Sequence, residues 1–250
     1  MDGVPSPFDS PVMIATSVGN LLLDLLKPSV SDRIRQRGEI VSLNFGAVLC
    51  EADEPFRSAY FPLSGFISLV SSIGDHPPLE MGLIGTEGML GVTLVLGVVA
   101  APLRSVVQGE GSALRLSAVD LRAELRRSPS LGKVLNRYLY VLMAQLNQTA
   151  ACTRFHEIDA RLSRWLLMTH DRAHADHFHL THQFLADMLG VQRSAVTIAA
   201  GRLQDGGLIH YTRGEITVLD RRGLEATACE CYAAVIKDYA QIFGRPPNTP

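Results

Sequence analysis

The chain has 250 residues, 47% of them hydrophobic, which is enough for one large or two ordinary domains with filled cores. The formal net charge of −2 excludes a uniformly basic, histone-like protein, so any contact with nucleic acid must be local. Four scattered cysteines, no signal-peptide pattern and no uncharged stretch of roughly 20 residues together predict a soluble cytoplasmic protein without a membrane segment.

The first 130 residues predict a loose N-terminus followed by a β domain. Residues 1–19 are expected to form a flexible arm because residues 1–12 are rich in Pro, Ser and Asp. Two short helical patterns follow, around residues 20–26 and 31–37, with Pro28 between them. From residue 40 to residue 117, short apolar runs alternate with glycine and proline turns, which predicts an antiparallel jelly-roll β-barrel over residues 20–130. The predicted strands are Ile40–Phe45, Ala59–Leu63, Phe66–Ser71, Leu79–Ile84, Ser105–Gln108 and Ala113–Leu116.

A long helix is predicted after this β domain. Ser117 is placed to cap a helix that ends before Pro129. Apolar residues then recur at helical spacing over residues 131–153, in a stripe too long for one small β domain to cover. We expect this helix to join two copies of the chain, although it could instead pack on its own barrel. The predicted dimer contacts are Leu135, Leu139, Leu142 and Leu146.

The segment from His182 to Gly201 has the pattern of a helix-turn-helix. A helix is predicted before it, from Glu157 to about Asp171, followed by a polar, histidine-rich loop over residues 172–179. Within the motif, Ala186 is the small residue where two helices cross, and Gly190 is the turn residue that tolerates a positive φ. The alternative is an ordinary helical hairpin in a core. Thr181 is the expected N-cap of the first helix.

The second helix of this motif is predicted to carry a face that reads DNA. Its internal apolar set leaves Gln192, Arg193, Ser194 and Thr197 pointing outward. Short polar groups and an Arg near a helix N-terminus suit base edges and phosphates in the major groove. Two short strands joined at Arg213-Gly214 follow and predict the wing of a winged helix, with Arg213 near phosphate. Residues 154–250 are therefore predicted to form the DNA-binding domain.

The order of a jelly-roll-like region, a long helix and a winged helix-turn-helix resembles the Crp/Fnr superfamily of bacterial regulators. Leu180–Val191 and Gly207–Ile209 match its DNA-binding pattern well. The resemblance implies a homodimeric transcription regulator that binds double-stranded DNA, an effector-sensing β domain, and contact with RNA polymerase. Cyclic-AMP-responsive members carry Arg-Glu-x-x-x-Arg on the recognition helix, whereas this chain has only the first Arg, Arg193, so its operator should differ.

The resemblance also implies an effector site, from which this sequence departs. Nucleotide-binding members use a Gly-Glu-Leu turn for the ribose and an Arg-Ser pair for the phosphate. The corresponding candidates here are Glu87, Gly88, Arg104 and Ser105, with Asn147 and Gln148 on the long helix near the base position. Three alternatives stay open: cyclic AMP, another anionic or nucleotide ligand, and a degenerate pocket in a ligand-independent regulator.

Metal and catalytic sites are not predicted. His170, His174, His177, His179 and His182 crowd a short span, but a solvated linker explains them better than a transition-metal site. Cys229 and Cys231 are assigned to one C-terminal helix, where residues two apart diverge and cannot share a metal. A cupin-like barrel enzyme would need several His or carboxylates inside the barrel, and His76 is the only His between residues 40 and 117. We therefore expect no enzyme, no catalytic residue and no certain cofactor.

Overall fold

The computed structural model describes residues 19–244, which leaves most of the predicted flexible arm, residues 1–19, outside the described residues. Two helices, α1 (Leu21–Asp24) and α2 (Pro28–Arg37), precede the first strand. Asn20 is fully buried and caps α1 by accepting hydrogen bonds from the backbone N–H groups of the next turn. Its amide also donates to the carbonyls of Pro62 and Gly88, at 3.0 and 2.8 Å. The N-terminal helices are thereby anchored to the β domain.

The first domain is built on an antiparallel sheet. Its strands are β1 (Glu39–Leu43), β2 (Val48–Cys50), β3 (Ser58–Ser71), β4 (Leu79–Ile84) and β5 (Arg104–Ser117). The order is β1-β5-β3-β4, and β2 also pairs with β5. Within residues 19–244 the two edge strands, β1 and β4, do not pair with each other, so the sheet is open where a closed barrel was predicted. A short 3-10 helix, Val92–Leu96, lies between β4 and β5.

Strands β3 and β5 are each one long strand where two short strands were predicted. The predicted turns at Gly65 and at Gly109–Gly111 are bulges within a continuous pair, where the register shifts between Pro62 and Ile67. The two backbones approach so closely there that a Cβ at Gly65 would lie 2.3 Å from the Gly109 carbonyl oxygen. These glycines therefore permit close strand contact, which local sequence cannot distinguish from a turn.

Three helices follow the sheet: α3 (Ala118–Arg127), α4 (Pro129–Phe155) and α5 (Ile158–Ala173). Ser117 caps α3 as predicted, since its hydroxyl accepts from the Asp120 N–H at 3.0 Å. Pro129 does not simply end α3; it occupies the first turn of α4, where its missing N–H costs nothing. Gln145 on α4 accepts from the Leu83 N–H and donates to the Leu83 carbonyl, which fixes α4 to β4.

The C-terminal domain begins with α5 and also contains α6 (His182–Leu189), α7 (Arg193–Asp205), α8 (Arg221–Thr227) and α9 (Cys231–Phe243). A three-stranded antiparallel sheet joins β6 (His177–His179), β8 (Glu215–Val218) and β7 (Ile209–Thr212), in that order. The segment that was predicted as a loop over residues 172–179 thus ends in a strand, which pairs with β8. Cys229 lies between α8 and α9, so the divergence expected of two positions on one helix does not apply to Cys229 and Cys231.

The two domains share one apolar core and several buried polar contacts. Glu87 and Arg172 form an ion pair across the boundary, with Arg172 Nη2 2.8 Å from Glu87 Oε1 and both side chains only 2% exposed. Glu80 on β4 accepts from the Trp165 indole on α5 at 2.9 Å. The C-terminal domain is therefore packed against the sheet by specific contacts. Within residues 19–244, no helix is long and apolar enough to cross a membrane.

Candidate DNA-binding surface and effector region

Helix α6 begins and ends where the sequence predicts. Thr181 has extended backbone dihedrals and its hydroxyl accepts from the Phe184 N–H at 3.1 Å, which makes it the N-cap. Gly190 follows the helix with a φ of +62°, the left-handed conformation that favours glycine. A Cβ at Gly190 would also lie 2.9 Å from a methyl carbon of Leu79 on β4. The backbone conformation of this turn therefore favours glycine, and a side chain there would also displace the Leu79 methyl group.

The second helix of the motif, α7, exposes the predicted reading face. Its buried residues are Val196, Ala199, Ala200 and Leu203. The exposed residues are Gln192, Arg193, Ser194 and Thr197, and Ile198 beside them is 56% exposed. In the described part of the chain no side chain caps the start of α7, so its first N–H groups are free to meet a phosphate.

Contacts from two other elements hold the reading face in place. The Thr197 hydroxyl donates to the Arg193 carbonyl at 3.0 Å and lies 2.9 Å from His182 Nδ1 on α6. The His182 ring stacks on Tyr211 of β7, with ring centroids 4.1 Å apart and planes 16° apart. The pKa of His182 is lowered, mainly because the ring is partly buried and to a smaller extent because Arg193 is positively charged. Sequence reasoning considered the His182 side chain only as one of a run of histidines and therefore missed this role.

The wing forms as predicted. Strands β7 and β8 are joined at Arg213 and Gly214, whose φ angles of 51° and 89° are the positive pair that a type I′ hairpin requires. The Arg213 side chain is exposed at the tip of this hairpin. Gln204 on α7 accepts from the Tyr211 N–H at 2.7 Å, so the wing is tied to the reading helix.

The imidazole rings of the histidine-rich segment contact carboxylates. His170 Nε2 lies 2.6 Å from Asp176, and His177 and His179 lie 2.8 and 2.7 Å from Glu215. The hydrogen bond from His179 lowers the pKa of Glu215, as does the charge of the two imidazoles. Within the described residues, these imidazoles do not gather with other ligands into a metal-binding group.

The predicted effector residues do not converge on one pocket. The Glu87 carboxylate is buried and accepts from the Gly85 N–H and from Arg172, at 3.1 and 2.8 Å. Gly88 is packed so tightly that a Cβ there would lie 2.3 Å from the Tyr138 hydroxyl. Arg104 is at the surface, where its Nε lies 3.0 Å from Glu51 Oε2.

The other three candidates are also separated. Ser105 is fully buried, and its hydroxyl has no hydrogen-bond partner among the residues that the structure describes. Asn147 is exposed on α4, whereas Gln148 donates to Cys231 at 3.0 Å. Three of the six candidates are therefore buried, whereas Arg104, Asn147 and Gln148 are at least partly exposed.

An apolar cavity of about 250 Å³ lies between the sheet, the 3-10 helix and α4. Among the described residues, no charged side chain lines it; its wall includes Ile84, Met89, Leu103, Leu139, Met143 and Leu146. Such a wall offers no charged partner for a phosphate.

One side of α4 is left uncovered by the residues that the structure describes. Leu135 and Leu142 are 0% and 7% exposed because they pack in the protein's own core, so they offer little surface to a partner. Tyr140 and Met143 are each 60% exposed. Leu139 and Leu146 beside them are half-buried. The apolar face available to a second copy is therefore centred on Tyr140 and Met143, further round the helix than the predicted contacts Leu135 and Leu142.

These features define a winged helix-turn-helix joined to an antiparallel β domain by a long helix. Residues 160–227 match the Crp-like helix-turn-helix domain. The structure is similar to FixK2 from Bradyrhizobium japonicum, with 15% identity, a TM-score of 0.66, and 77% of this chain and 98% of that one covered. It is also similar to the c-di-GMP responsive global regulator CLP from Xanthomonas campestris, with 16% identity, a TM-score of 0.64, and coverage of 78% and 100%.

A third similar structure is a CRP-family transcriptional regulator from Thermus thermophilus, with 18% identity, a TM-score of 0.64, and coverage of 75% and 96%. No curated protein sequence matches this chain. The chain thus has a Crp-like helix-turn-helix domain and the fold of the Crp/Fnr transcriptional regulators, which confirms the resemblance predicted from its sequence.

Proposed function

We propose that the protein is a homodimeric, sequence-specific DNA-binding transcription regulator. One observation carries this proposal: Gln192, Arg193, Ser194 and Thr197 form an exposed polar face at the uncapped start of α7. Arg193 is the residue assigned to a base edge, because Arg forms bidentate hydrogen bonds with guanine. The free N–H groups of α7, together with Arg213 on the wing, are assigned to phosphates.

The proposed dimer joins two copies along α4. The exposed apolar side of this helix, around Tyr140 and Met143, supplies the contact surface. A two-fold dimer presents two reading helices, so the operator should be a near-palindrome with half-sites about one helical turn of DNA apart. The family resemblance adds two further parts to this proposal. The protein contacts RNA polymerase, and it acts in the cytoplasm.

The test compares Arg193→Ala with Arg126→Ala, which removes the same charge from an exposed position on α3. DNA fragments selected from a random pool by the wild-type protein serve as the operator. Arg193→Ala should weaken operator binding by about 1–3 kcal/mol at constant salt and relax the preference at one base pair of each half-site. Arg126→Ala should bind as the wild type does. Unchanged operator affinity in Arg193→Ala would remove α7 as the reading helix.

A second candidate function concerns control by a ligand. A regulator that works without an anionic effector is favoured by the apolar cavity and by the pairing of Glu87 with Arg172. Thermal unfolding with a panel of cyclic and linear nucleotides separates the alternatives. A stabilisation of the wild type that is lost in Arg104→Ala would establish an anionic effector, and no response to any nucleotide would support ligand-independent binding.

A further inference from the structure

Three cysteines and a histidine meet where α4 ends and α9 begins. Cys152 and His156 are one helical turn apart at the end of α4, and Cys229 and Cys231 flank the start of α9. Their potential ligand atoms all lie within 4.8 Å of one another. The Sγ atoms of Cys152 and Cys229 are 3.5 Å apart, and Cys231 Sγ is 3.4 Å from His156 Nδ1. The four residues are brought together from positions about 80 residues apart in the chain.

The spacing of these atoms suits one tetrahedral ion. Zinc–sulfur bonds of about 2.3 Å at tetrahedral angles place two sulfurs about 3.8 Å apart, and a sulfur and an imidazole nitrogen about 3.5 Å apart. The two contacts quoted above lie within a few tenths of an ångström of these values. Three thiolates and one imidazole are also a ligand set typical of structural zinc.

Polar and charged side chains lie next to the four residues. His156 Nε2 lies 3.2 Å from the Glu230 carboxylate, which leaves Nδ1 as the nitrogen that faces the cysteines. Gln148 donates an N–H to Cys231 Sγ at 3.0 Å. Arg161 and Arg164 place positive charge near Cys152, which offsets the negative charge of three thiolates around a divalent ion.

A disulfide explains the cluster less completely. A bond between Cys152 and Cys229 would require their sulfurs to move from 3.5 Å to about 2.0 Å. It would leave Cys231 and His156, with its carboxylate partner, without a role. Simple packing is also incomplete as an explanation, because it does not require an imidazole with a carboxylate behind it beside three thiols.

We propose that Cys152, His156, Cys229 and Cys231 bind one zinc ion that fastens the start of α9 to the end of α4. This site goes beyond the proposed DNA-binding function, and its chemistry is independent of operator recognition. Because α4 carries the proposed dimer surface and α9 belongs to the C-terminal domain, the zinc ion would stiffen the joint between them. Its role is structural, since all four positions of the tetrahedron are filled by the protein.

The first experiment measures zinc in the full-length protein. Wild-type protein is incubated with Zn²⁺ under reducing conditions, desalted and analysed by mass spectrometry for metal and protein. We expect about one zinc per chain. Cys152→Ser and Cys229→Ser should lose it, whereas Cys50→Ser is the matched control, since Cys50 lies on β2 outside the cluster. Retention of stoichiometric zinc by both cluster variants would overturn the proposal, as would its absence from the wild type.

A second measurement does not depend on the variants folding. Wild-type protein in which Co²⁺ replaces Zn²⁺ should show the sulfur-to-cobalt charge-transfer bands and intense d–d bands of a tetrahedral thiolate site. Chelation should lower the melting temperature, and Zn²⁺ but not Mg²⁺ should restore it. The site would be refuted by a Cys152–Cys229 disulfide that persists under reducing conditions. A cobalt spectrum without thiolate bands would also refute it. Glu230→Gln should weaken zinc binding by roughly 10–100-fold while leaving the stoichiometry at saturation unchanged.

Discussion

Glu80 is a carboxylic acid buried at the boundary between the two domains. It is 7% exposed, and its carboxylate accepts hydrogen bonds from Ser68 at 2.5 Å and from the Trp165 indole at 2.9 Å. Burial raises the pKa of Glu80 from 4.5 to about 7, against the smaller opposing effects of these two hydrogen bonds and of Arg164 and Arg172. The group therefore remains partly protonated in the folded protein at neutral pH.

The direction of the pH effect follows from this raised pKa. An unfolded chain releases the Glu80 proton near pH 4.5, whereas the folded protein keeps it until about pH 7. The folded state thus binds more protons between these values, and its stability falls as the pH rises through this window. The difference between the two pKa values corresponds to about 3 kcal/mol in the free energy of unfolding. This stabilisation is fully lost above pH 7.

Glu80→Gln removes the titration while keeping an acceptor for Trp165. We expect the variant to be about 3 kcal/mol more stable than the wild type above pH 7 and nearly equal to it below pH 4.5, less any cost of altered hydrogen bonding to Ser68. Urea unfolding of both proteins from pH 4.5 to 8 measures this difference. Glu54→Gln, which removes an exposed carboxylate, is the control. Equal pH slopes for wild type and Glu80→Gln would refute the reasoning.

Two further predictions follow from named contacts. Tyr140→Glu together with Met143→Glu should convert the proposed dimer to monomer in sedimentation velocity, because both side chains are 60% exposed on the uncovered side of α4; Arg126→Glu, at an exposed position on α3, should remain dimeric. Arg172→Met should destabilise the protein by about 3–5 kcal/mol in denaturant unfolding, because it leaves the Glu87 carboxylate buried without its cation. Adding Glu87→Gln should recover part of that loss, and a double variant no more stable than Arg172→Met would contradict this pairing.

The helix-turn-helix could be predicted because its signals are local. A cap at Thr181, a glycine at position 190 and apolar residues at helical spacing depend on neighbours within about 20 residues, so short-range rules place them well. The exposed face of α7 then follows from the helical period. The same rules misjudged β3 and β5, because a glycine at a turn and a glycine at a bulge look alike until the facing strand is known.

The available face of α4 depended on what the helix packs against. Periodicity identified an apolar stripe on this helix, and Leu135 and Leu142 belong to it as predicted. The chain's own core covers Leu135 and Leu142, so the exposed apolar surface lies further round the helix, at Tyr140 and Met143. Helical period alone cannot assign one stripe to the protein's own core and another to a partner.

The sequence by itself determined the order of the β region, the helix-turn-helix and the wing, since each depends on contiguous residues. The tertiary structure alone decided the long-range pairings. Glu87, an expected ribose ligand, is neutralised by Arg172 from the other domain, 85 residues away. Cys152 and His156 meet Cys229 and Cys231 only because α9 returns to the end of α4. Such contacts depend on how folded elements pack, and sequence spacing carries no direct record of them.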